Sequence, residues 1–247
     1  LRRTLRSGRY EVLHCHHDVV SAVYLVAALG LPIARRIVHV HNADLHVPTG
    51  SRLKATLVRE PMRQICLRFA DRIVGISRYT LSNFLAGCAP RPDRDFVLYY
   101  GIDTKPFRAE RGDRRELLRS LNLPNDARVV LFVGRMVSYK NPLFVVDILA
   151  EILEKEPNAY AVFVGSGPLQ EATAERARAL KIDEHVRVLG WREDTVQLMQ
   201  LADLFVFPRT EEVTPDLGTE GLGLVVVEAQ AAGLMSLLSL GIPEDAI

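Results

Sequence analysis

The feature that most restricts how this chain folds is a repeated switch between short, β-branched runs and longer helical stretches. Residues 10–14 read as a strand, 18–29 as an apolar helix closed by Gly30-Leu31-Pro32, and 37–41 as a strand bounded by Asn42 and Asp44. A helical stretch follows from about Ser51 to Phe69, with Pro61 expected as a kink or boundary. Residues 72–76 form the next strand, and Ser77 is placed to cap the helix after it. Such alternation predicts a parallel sheet flanked by helices.

The pattern breaks between Ala89 and Asp126, where Ala-Pro-Arg-Pro-Asp-Arg and the charged run 108–115 interrupt it. A domain boundary is expected near Asp103, dividing the chain into an N-terminal domain over 1–103 and a C-terminal domain over 104–247. The alternation then restarts. Strands are expected over 129–133, 160–164, 186–189 and 204–207, with helices over 141–154, 168–181 and 194–201. Two such series without a short internal repeat predict an α/β protein of two Rossmann-like, doubly wound parallel-sheet domains around a cleft.

Composition removes several function classes. A net charge of +1 argues against strong non-specific nucleic-acid binding. Cys15, Cys66 and Cys88 are too scattered for a disulfide framework or a four-ligand zinc site, and read as packing residues in a reducing compartment. The longest uncharged run, 19–34, is broken by Ser21, Gly30 and Pro32 and is short for a bilayer span. No signal peptide is visible, and both ends read as cut from a longer protein.

Open α/β sheets place their sites at the carboxyl ends of strands, and the suggestive residues lie there. The 129–133 strand runs into Gly134, Arg135 and Lys140 before Asn141-Pro142 starts a helix. A guanidinium fork and a mobile ammonium in one such loop can clamp a diphosphate, or form a solvated basic loop. Val164-Gly165-Ser166-Gly167-Pro168 is a strand followed by a glycine turn, with or without a ligand. The stretch from Glu220 through Gly221, Leu222, Gly223 and Leu224 to Glu228 reads as a polar loop opening into a buried helix. Free amides there attract phosphate, Gly221 and Gly223 admit an anion close to the main chain, and Glu228, two turns in, is placed to accept from hydroxyls. A plain helix entry with chance carboxylates is the alternative. Trp191, the only tryptophan, reads as ordinary packing. A zinc site from His14, Cys15, His16 and His17 is disfavoured because adjacent strand residues point to opposite faces. A hydrolase with paired carboxylates is disfavoured by the helix-entry spacing and the phosphate clamp. No G-x-S-x-G, P-loop or H-E-x-x-H occurs.

Taken together these motifs resemble the retaining GT-B glycosyltransferases of family 4, the glycosyl transferases group 1, over nearly the whole chain. The E-x7-E spacing of Glu220 and Glu228, the V-G-R-x-x-x-x-K run ending at Lys140, the V-G-x-G-P turn at Gly165, the segment around Arg192, the strand ending in His41, and Tyr100-Gly-Ile-Asp103 fall in that family's order. The resemblance implies transfer of a sugar from a nucleoside diphosphate to an acceptor hydroxyl with retention. Arg135 and Lys140 would neutralise the leaving diphosphate, with no metal or other cofactor. Glu220 would hold the donor sugar, Glu228 the ribose, and Gly134, Gly165, Arg192 and residues 221–224 the rest of the nucleotide. His41 would touch the transferred sugar, unless it is a histidine that simply ends a strand. The implied partners are a nucleotide sugar and a glycan or lipid-linked acceptor, not nucleic acid, in the cytoplasm with possible peripheral contact at the inner membrane face. Bacterial polysaccharide or glycolipid synthesis is the implied setting. A nucleotide-sugar epimerase or an inactive nucleotide-binding fragment are the alternatives. Two departures stand out: a glycine-rich loop expected before Tyr10 is absent, and Gly233-Leu-Met-Ser replaces glycine followed by proline and valine. The acidic stretch 209–219, with Pro215, reads as an inserted mobile loop at the site.

Overall fold

The computed structural model describes residues 1–42, 52–109, 112–210, 220–240 and 242–247, with the backbone alone for 52–56. Expectations for Asp44, Ser51 and the stretch 211–219 with Pro215 lie outside the described residues. The chain forms two compact units. The first holds 1–101 with 220–222 and 243–245. The second holds the described residues between 102 and 210 and between 223 and 242, with 246–247.

In the first unit the order is α1 (Arg2–Ser7), β1 (Val12–Cys15), α2 (Ser21–Ala27), β2 (Arg35–Val40), α3 (Arg52–Phe69), β3 (Arg72–Gly75), α4 (Arg78–Leu85) and β4 (Asp95–Val97). The strands lie in chain order and every pairing is parallel, with His14 opposite Ile37, and His39 opposite Val74. Parallel strands covered by helices are buried on both faces, which is why β2 and β3 end in unbroken buried runs. Their side chains meet α2, α3 and α4 in a core of Val19, Leu25, Val38, Val40, Cys66, Ile73, Phe84 and their neighbours.

Ser77 caps α4 as expected: its Oγ accepts from the Thr80 amide at 3.1 Å, and Thr80 Oγ1 accepts from the Ser77 amide at 3.1 Å. Pro61 is not a helix boundary, because α3 continues through it. Pro61 is exposed, while Met62, Ile65, Cys66 and Phe69 beyond it pack on the core and hold the next turns in place. The ring removes one intrahelical bond and the packing outweighs that loss. Burial raises the Cys15 thiol to about 11 and the Cys66 thiol to about 12, in keeping with packing roles. Cys88 is exposed instead.

The second unit runs α5 (Lys105–Arg108), α6 (Arg114–Ser120), β5 (Arg128–Val133), α7 (Pro142–Leu153), β6 (Ala159–Val164), α8 (Gln170–Ala179), β7 (Val186–Val188), α9 (Thr195–Leu201), β8 (Leu204–Phe207), α10 (Leu224–Ala231) and β9 (Ser236–Leu238). The strand order is β7-β6-β5-β8-β9, all parallel. The chain winds outward from β5 through β6 to β7, then returns to place β8 on the other side of β5. That reversal is the topological switch point of a doubly wound sheet. Phe132, Phe163, Phe205 and Phe207 are fully buried: Phe132 meets Phe163 of β6 at 5.7 Å and Phe207 of β8 at 6.3 Å, and Phe205 and Phe207 stack along β8 at 5.9 Å. Among the described helices of the chain, none is long and apolar enough to cross a membrane.

The loops at the carboxyl end of this sheet are laced to one another. Gly134 N–H donates to Val164 O at 2.9 Å, Gly165 N–H to Gly190 O at 2.7 Å, and Met136 N–H to Ser166 O at 2.9 Å. A Cβ on Gly165 would lie 2.0 Å from Gly134 O, and its φ of +125° already excludes most side chains. Gly233, by contrast, has φ +70° with nothing within 4 Å of a Cβ position. Gly165→Ala is therefore expected to cost about 2–4 kcal/mol in urea unfolding, combining strain with backbone overlap. Gly233→Ala should cost only the conformational part, about 1–2 kcal/mol. Equal losses would show that the contact with Gly134 does not hold these loops.

Candidate functional site

In the second unit the switch point between β5 and β8 carries two cations. Lys140 closes a 3-10 turn (Ser138–Lys140) after β5 and is only 9% exposed. Its Nζ lies 4.4 Å from the centre of the Phe207 ring, at the end of β8, and 5.6 Å from that of Tyr139. Arg135 is exposed, donates from Nη2 to the Tyr139 hydroxyl at 2.7 Å, and lies over the same ring at 5.7 Å. Thr210 N–H donates to Tyr139 O at 3.1 Å, tying the chain beyond β8 to this loop. Two permanent cations held by aromatic faces at a switch point form an anion-receiving arrangement. Asn141 takes the left-handed conformation at φ +47° and Pro142 starts α7, so the sharp turn after Lys140 is locally encoded.

Helix α10 connects β8 to β9, so its amino end lies at the same, carboxyl, end of the sheet. Gly223 is its N-cap at φ +83°, with no side-chain cap on the first amides. Leu222 is buried, which sets the entry of the helix, and Leu224 opens it. Glu228 sits on the second turn, half-buried, with no hydrogen bond or ion pair among the described residues. Burial raises its carboxyl above the ordinary glutamate value.

The glycine turn after β6 and the segment after β7 complete that end of the sheet. Gly165 is held by the close backbone approach described above. Arg192 does not present a free guanidinium: Nε and Nη2 donate to Asp194 Oδ1 and Oδ2 at 2.8 and 2.6 Å, and this bond holds the Asp194 carboxyl low. Its carbonyl accepts from the Thr195 hydroxyl at 3.3 Å. Trp191 is not ordinary packing, as it is 70% exposed. Gly190, just before it, takes the left-handed conformation at φ +70°.

Glu220 and Gly221 belong to the first unit, with His41. Gly221 is buried, and its carbonyl accepts from Ser77 Oγ at 2.6 Å. A Cβ there would stand 2.1 Å from His41 O and 2.9 Å from Ile76 Cδ1. Glycine at 221 is thus required by protein backbone, whereas glycine at 223 is required by φ. The structure brings His41 and the Glu220-Gly221 segment together at the end of β2.

His41 is closely held. Its amide donates to Asp18 Oδ1 at 2.7 Å, its Nε2 pairs with His16 Nδ1 at 2.8 Å, and its Nδ1 pairs with the Tyr100 hydroxyl. Burial and, more weakly, His16 and His17 lower its pKa, against an opposing pull from Asp18. His39 stands two residues earlier on the same face, 5% exposed, with its pKa lowered to about 4 by burial, then by His41, His14 and His16. The contiguous run His14–His17 does not by itself reveal this group, because its fellow members stand on the next strand. Cys15 does point to the opposite face, into the core. However, His14 and His16 share one face, and the parallel register sets His39 and His41 beside them. The legible signal was the pair of H-x-H patterns, 14–16 and 39–41, on consecutive strands.

Comparison with known proteins follows the same division. The family model described as glycosyl transferases group 1 matches residues 113–241, and that described as Glycosyltransferase Family 4 matches 1–106. A D-inositol 3-phosphate glycosyltransferase of Catenulispora acidiphila is 32% identical over 240 residues, covering 92% of this chain and 55% of the relative. An Escherichia coli UDP-Gal:alpha-D-GlcNAc-diphosphoundecaprenol alpha-1,3-galactosyltransferase is 24% identical, covering 97% and 60%. The chain thus spans somewhat over half the length of these relatives. Among solved structures, Anabaena Alr3699/HepE in complex with UDP superposes with a TM-score of 0.80 at 21% identity, covering 98% of this chain and 63% of that one. The fold is the GT-B type.

The state of Glu228 gives a test of the site's electrostatics. Because burial raises its folded pKa, the folded chain binds this proton more tightly than the unfolded chain. Its stabilising effect is full below the ordinary value of 4.5 and is lost as pH rises through the folded value. Glu228→Gln is therefore expected to stabilise the chain at neutral pH, with the gain vanishing as pH falls below 4.5. Urea midpoints measured across that range check it. A gain that persists at low pH would place its origin elsewhere.

Proposed function

This chain belongs to the glycosyl transferases group 1, and from that premise we propose that it carries the donor-binding part of a retaining, nucleotide-sugar-dependent glycosyltransferase. The observation that carries the reading is the pair Arg135 and Lys140 at the β5–β8 switch point, with the uncapped amino end of α10 at the same end of the sheet.

The reaction moves a sugar from a nucleoside diphosphate to an acceptor hydroxyl. As the bond between the anomeric carbon and the phosphate oxygen lengthens, negative charge grows on the diphosphate. Arg135 offers a planar fork and Lys140 a point charge to that growing charge, and the amides from Gly223 onward add fixed dipoles. These groups act on the leaving group without a metal ion or other cofactor on the diphosphate. Because they meet a charge that is larger in the transition state than in the bound donor, they lower the barrier rather than only tightening binding. Glu228, half-buried and without an ion pair among the described residues, accepts from the ribose hydroxyls. Glu220 holds the donor sugar and offsets its positive character. His41, neutral and fixed by Asp18, contacts the transferred sugar, exchanging one of its two present partners, His16 or Tyr100, to do so. Gly134, Gly165 and the Arg192 backbone shape the rest of the nucleotide pocket.

The acceptor in this reading is a glycan or lipid-linked precursor, not a nucleic acid, met in the cytoplasm or peripherally at the inner membrane face. The diphosphoundecaprenol acceptor in the name of the Escherichia coli relative supports that class. The UDP bound in the Anabaena structure supports a nucleoside diphosphate donor.

Calorimetric titration of the chain with UDP and with GDP tests the assignment. One of them is expected to bind. Arg135→Ala should weaken it about tenfold to a hundredfold, the scale of a lost charge-assisted hydrogen bond pair, and Glu228→Ala about tenfold. Unchanged affinity in Arg135→Ala, or no binding by a chain whose circular dichroism shows it folded, would overturn the placement of the diphosphate.

A further inference from the structure

We propose that His14, His16 and His39 form a binding site for one divalent transition-metal ion, with zinc(II) the class of ion it suits. The inference does not rest on the transferase reading, which reaches these three residues only through the bond of His16 to His41.

The site is built by topology. β1 and β2 are adjacent and parallel, with His14 opposite Ile37. Alternation along a strand then puts His14 and His16 on the face that also carries His39 and His41. The rings crowd together: His14 and His16 lie 4.1 Å apart between centroids, His16 and His39 5.2 Å, and His14 and His39 5.4 Å with parallel planes. One ring nitrogen from each of the three lies within 4.8 Å of the others. A tetrahedral ion at about 2.0–2.1 Å from each nitrogen needs them roughly 3.3–3.4 Å apart. Small side-chain rotations close that difference, since His14 and His16 are exposed.

A second observation points to a ligand. His39 is only 5% exposed, and neither of its ring nitrogens has a hydrogen-bond partner among the described residues. A neutral imidazole carries one donor and one acceptor, and burying both unpaired is unfavourable. Coordination through the lone pair satisfies the acceptor with a bond far stronger than a hydrogen bond. His14 and His16 on the exposed side give the ion its route in.

The donor set selects the ion. It is three imidazoles without thiolate or carboxylate. Cys15 faces the core, and the Asp18 carboxylate is committed to the amides of His41 and Asn42 and to the Asn42 side chain. Imidazole suits zinc, copper, nickel and iron rather than magnesium or calcium. Three protein ligands leave one coordination position for water or another small donor. His16 is further oriented from behind, because one of its nitrogens is bonded to His41, which is in turn bonded to Tyr100. That chain leaves the other nitrogen of His16 for the ion, the usual way in which a ligating imidazole is oriented.

The test is titration of the untagged, chelator-treated chain with cobalt(II), followed by its visible d–d absorption, and with zinc(II) by calorimetry. One ion per chain is expected. His14→Gln and His16→Gln, both at exposed positions, should each weaken binding at least about tenfold while leaving the far-ultraviolet circular dichroism unchanged. His41→Ala should weaken it by about tenfold through the lost orientation of His16. His185→Gln, on the second unit, should bind as the parent does. The proposal is overturned if no ion binds saturably at that stoichiometry, if either His14→Gln or His16→Gln binds as the parent does, or if His185→Gln abolishes binding.

Discussion

Parallel pairing is the constraint on which the rest depends. It sends every strand of a unit in one direction, so every loop that follows a strand emerges at one end. In the second unit those loops are fastened to one another rather than left to pack loosely. Gly134 bonds to the end of β6, Gly165 to Gly190 beyond β7, and Met136 to Ser166. The overlap that any side chain at 165 would make with Gly134 O sets how closely the first two loops run. Arg135 stands directly after Gly134, and Lys140 five residues further on, so the two cations inherit their position from backbone contacts that neither of them makes.

Two glycines that look equivalent in sequence, Gly221 and Gly223, do different work. Gly223 turns the chain through a left-handed conformation into α10 and leaves the first amides of that helix uncapped. Gly221 has no such need. Its missing side chain makes room for the carbonyl of His41, and its own carbonyl takes the Ser77 hydroxyl. Ser77 therefore links two tasks, capping α4 through the Thr80 amide and holding the 220–222 segment. A motif whose glycines would all be read as room for a ligand thus contains one whose partner is the protein itself.

Much of this architecture was legible in sequence because buried parallel strands are continuous apolar runs with turn residues at their ends. The β8 span 204–207 and the Ser77 cap are cases where pattern and chemistry point the same way. The misses have physical causes. β9 has only three residues, two of which are leucines beside exposed Met235, so periodicity has too little length to act on. Pro61 was read locally, while the packing of Met62, Ile65 and Phe69 decided the helix. Trp191 was expected inside because large aromatics usually are, but it stands exposed after the left-handed Gly190. The histidine group needed register between strands, which no single stretch contains. Once β1 and β2 are paired with His14 opposite Ile37, the two H-x-H patterns put four imidazoles on one face.

The two units also divide their electrostatics by kind of group. Arg135 is a permanent cation, and Lys140, set against the Phe207 and Tyr139 rings, keeps its ammonium beside π-faces that favour charge. Groups of this kind suit an anion. The histidine face works in the opposite sense. Burial depresses His39 most, and each imidazole that gained a proton would raise the cost of charging the next, as the mutual effects of His14, His16, His39 and His41 show. The result is a face on which the neutral form of His14, His39 and His41, with its lone pair, is favoured. A phosphate gains less from neutral imidazoles than from fixed cations, and a metal cation has nothing to gain from guanidinium and ammonium. Each unit is thereby suited to one sign of ligand, and neither competes for the other's.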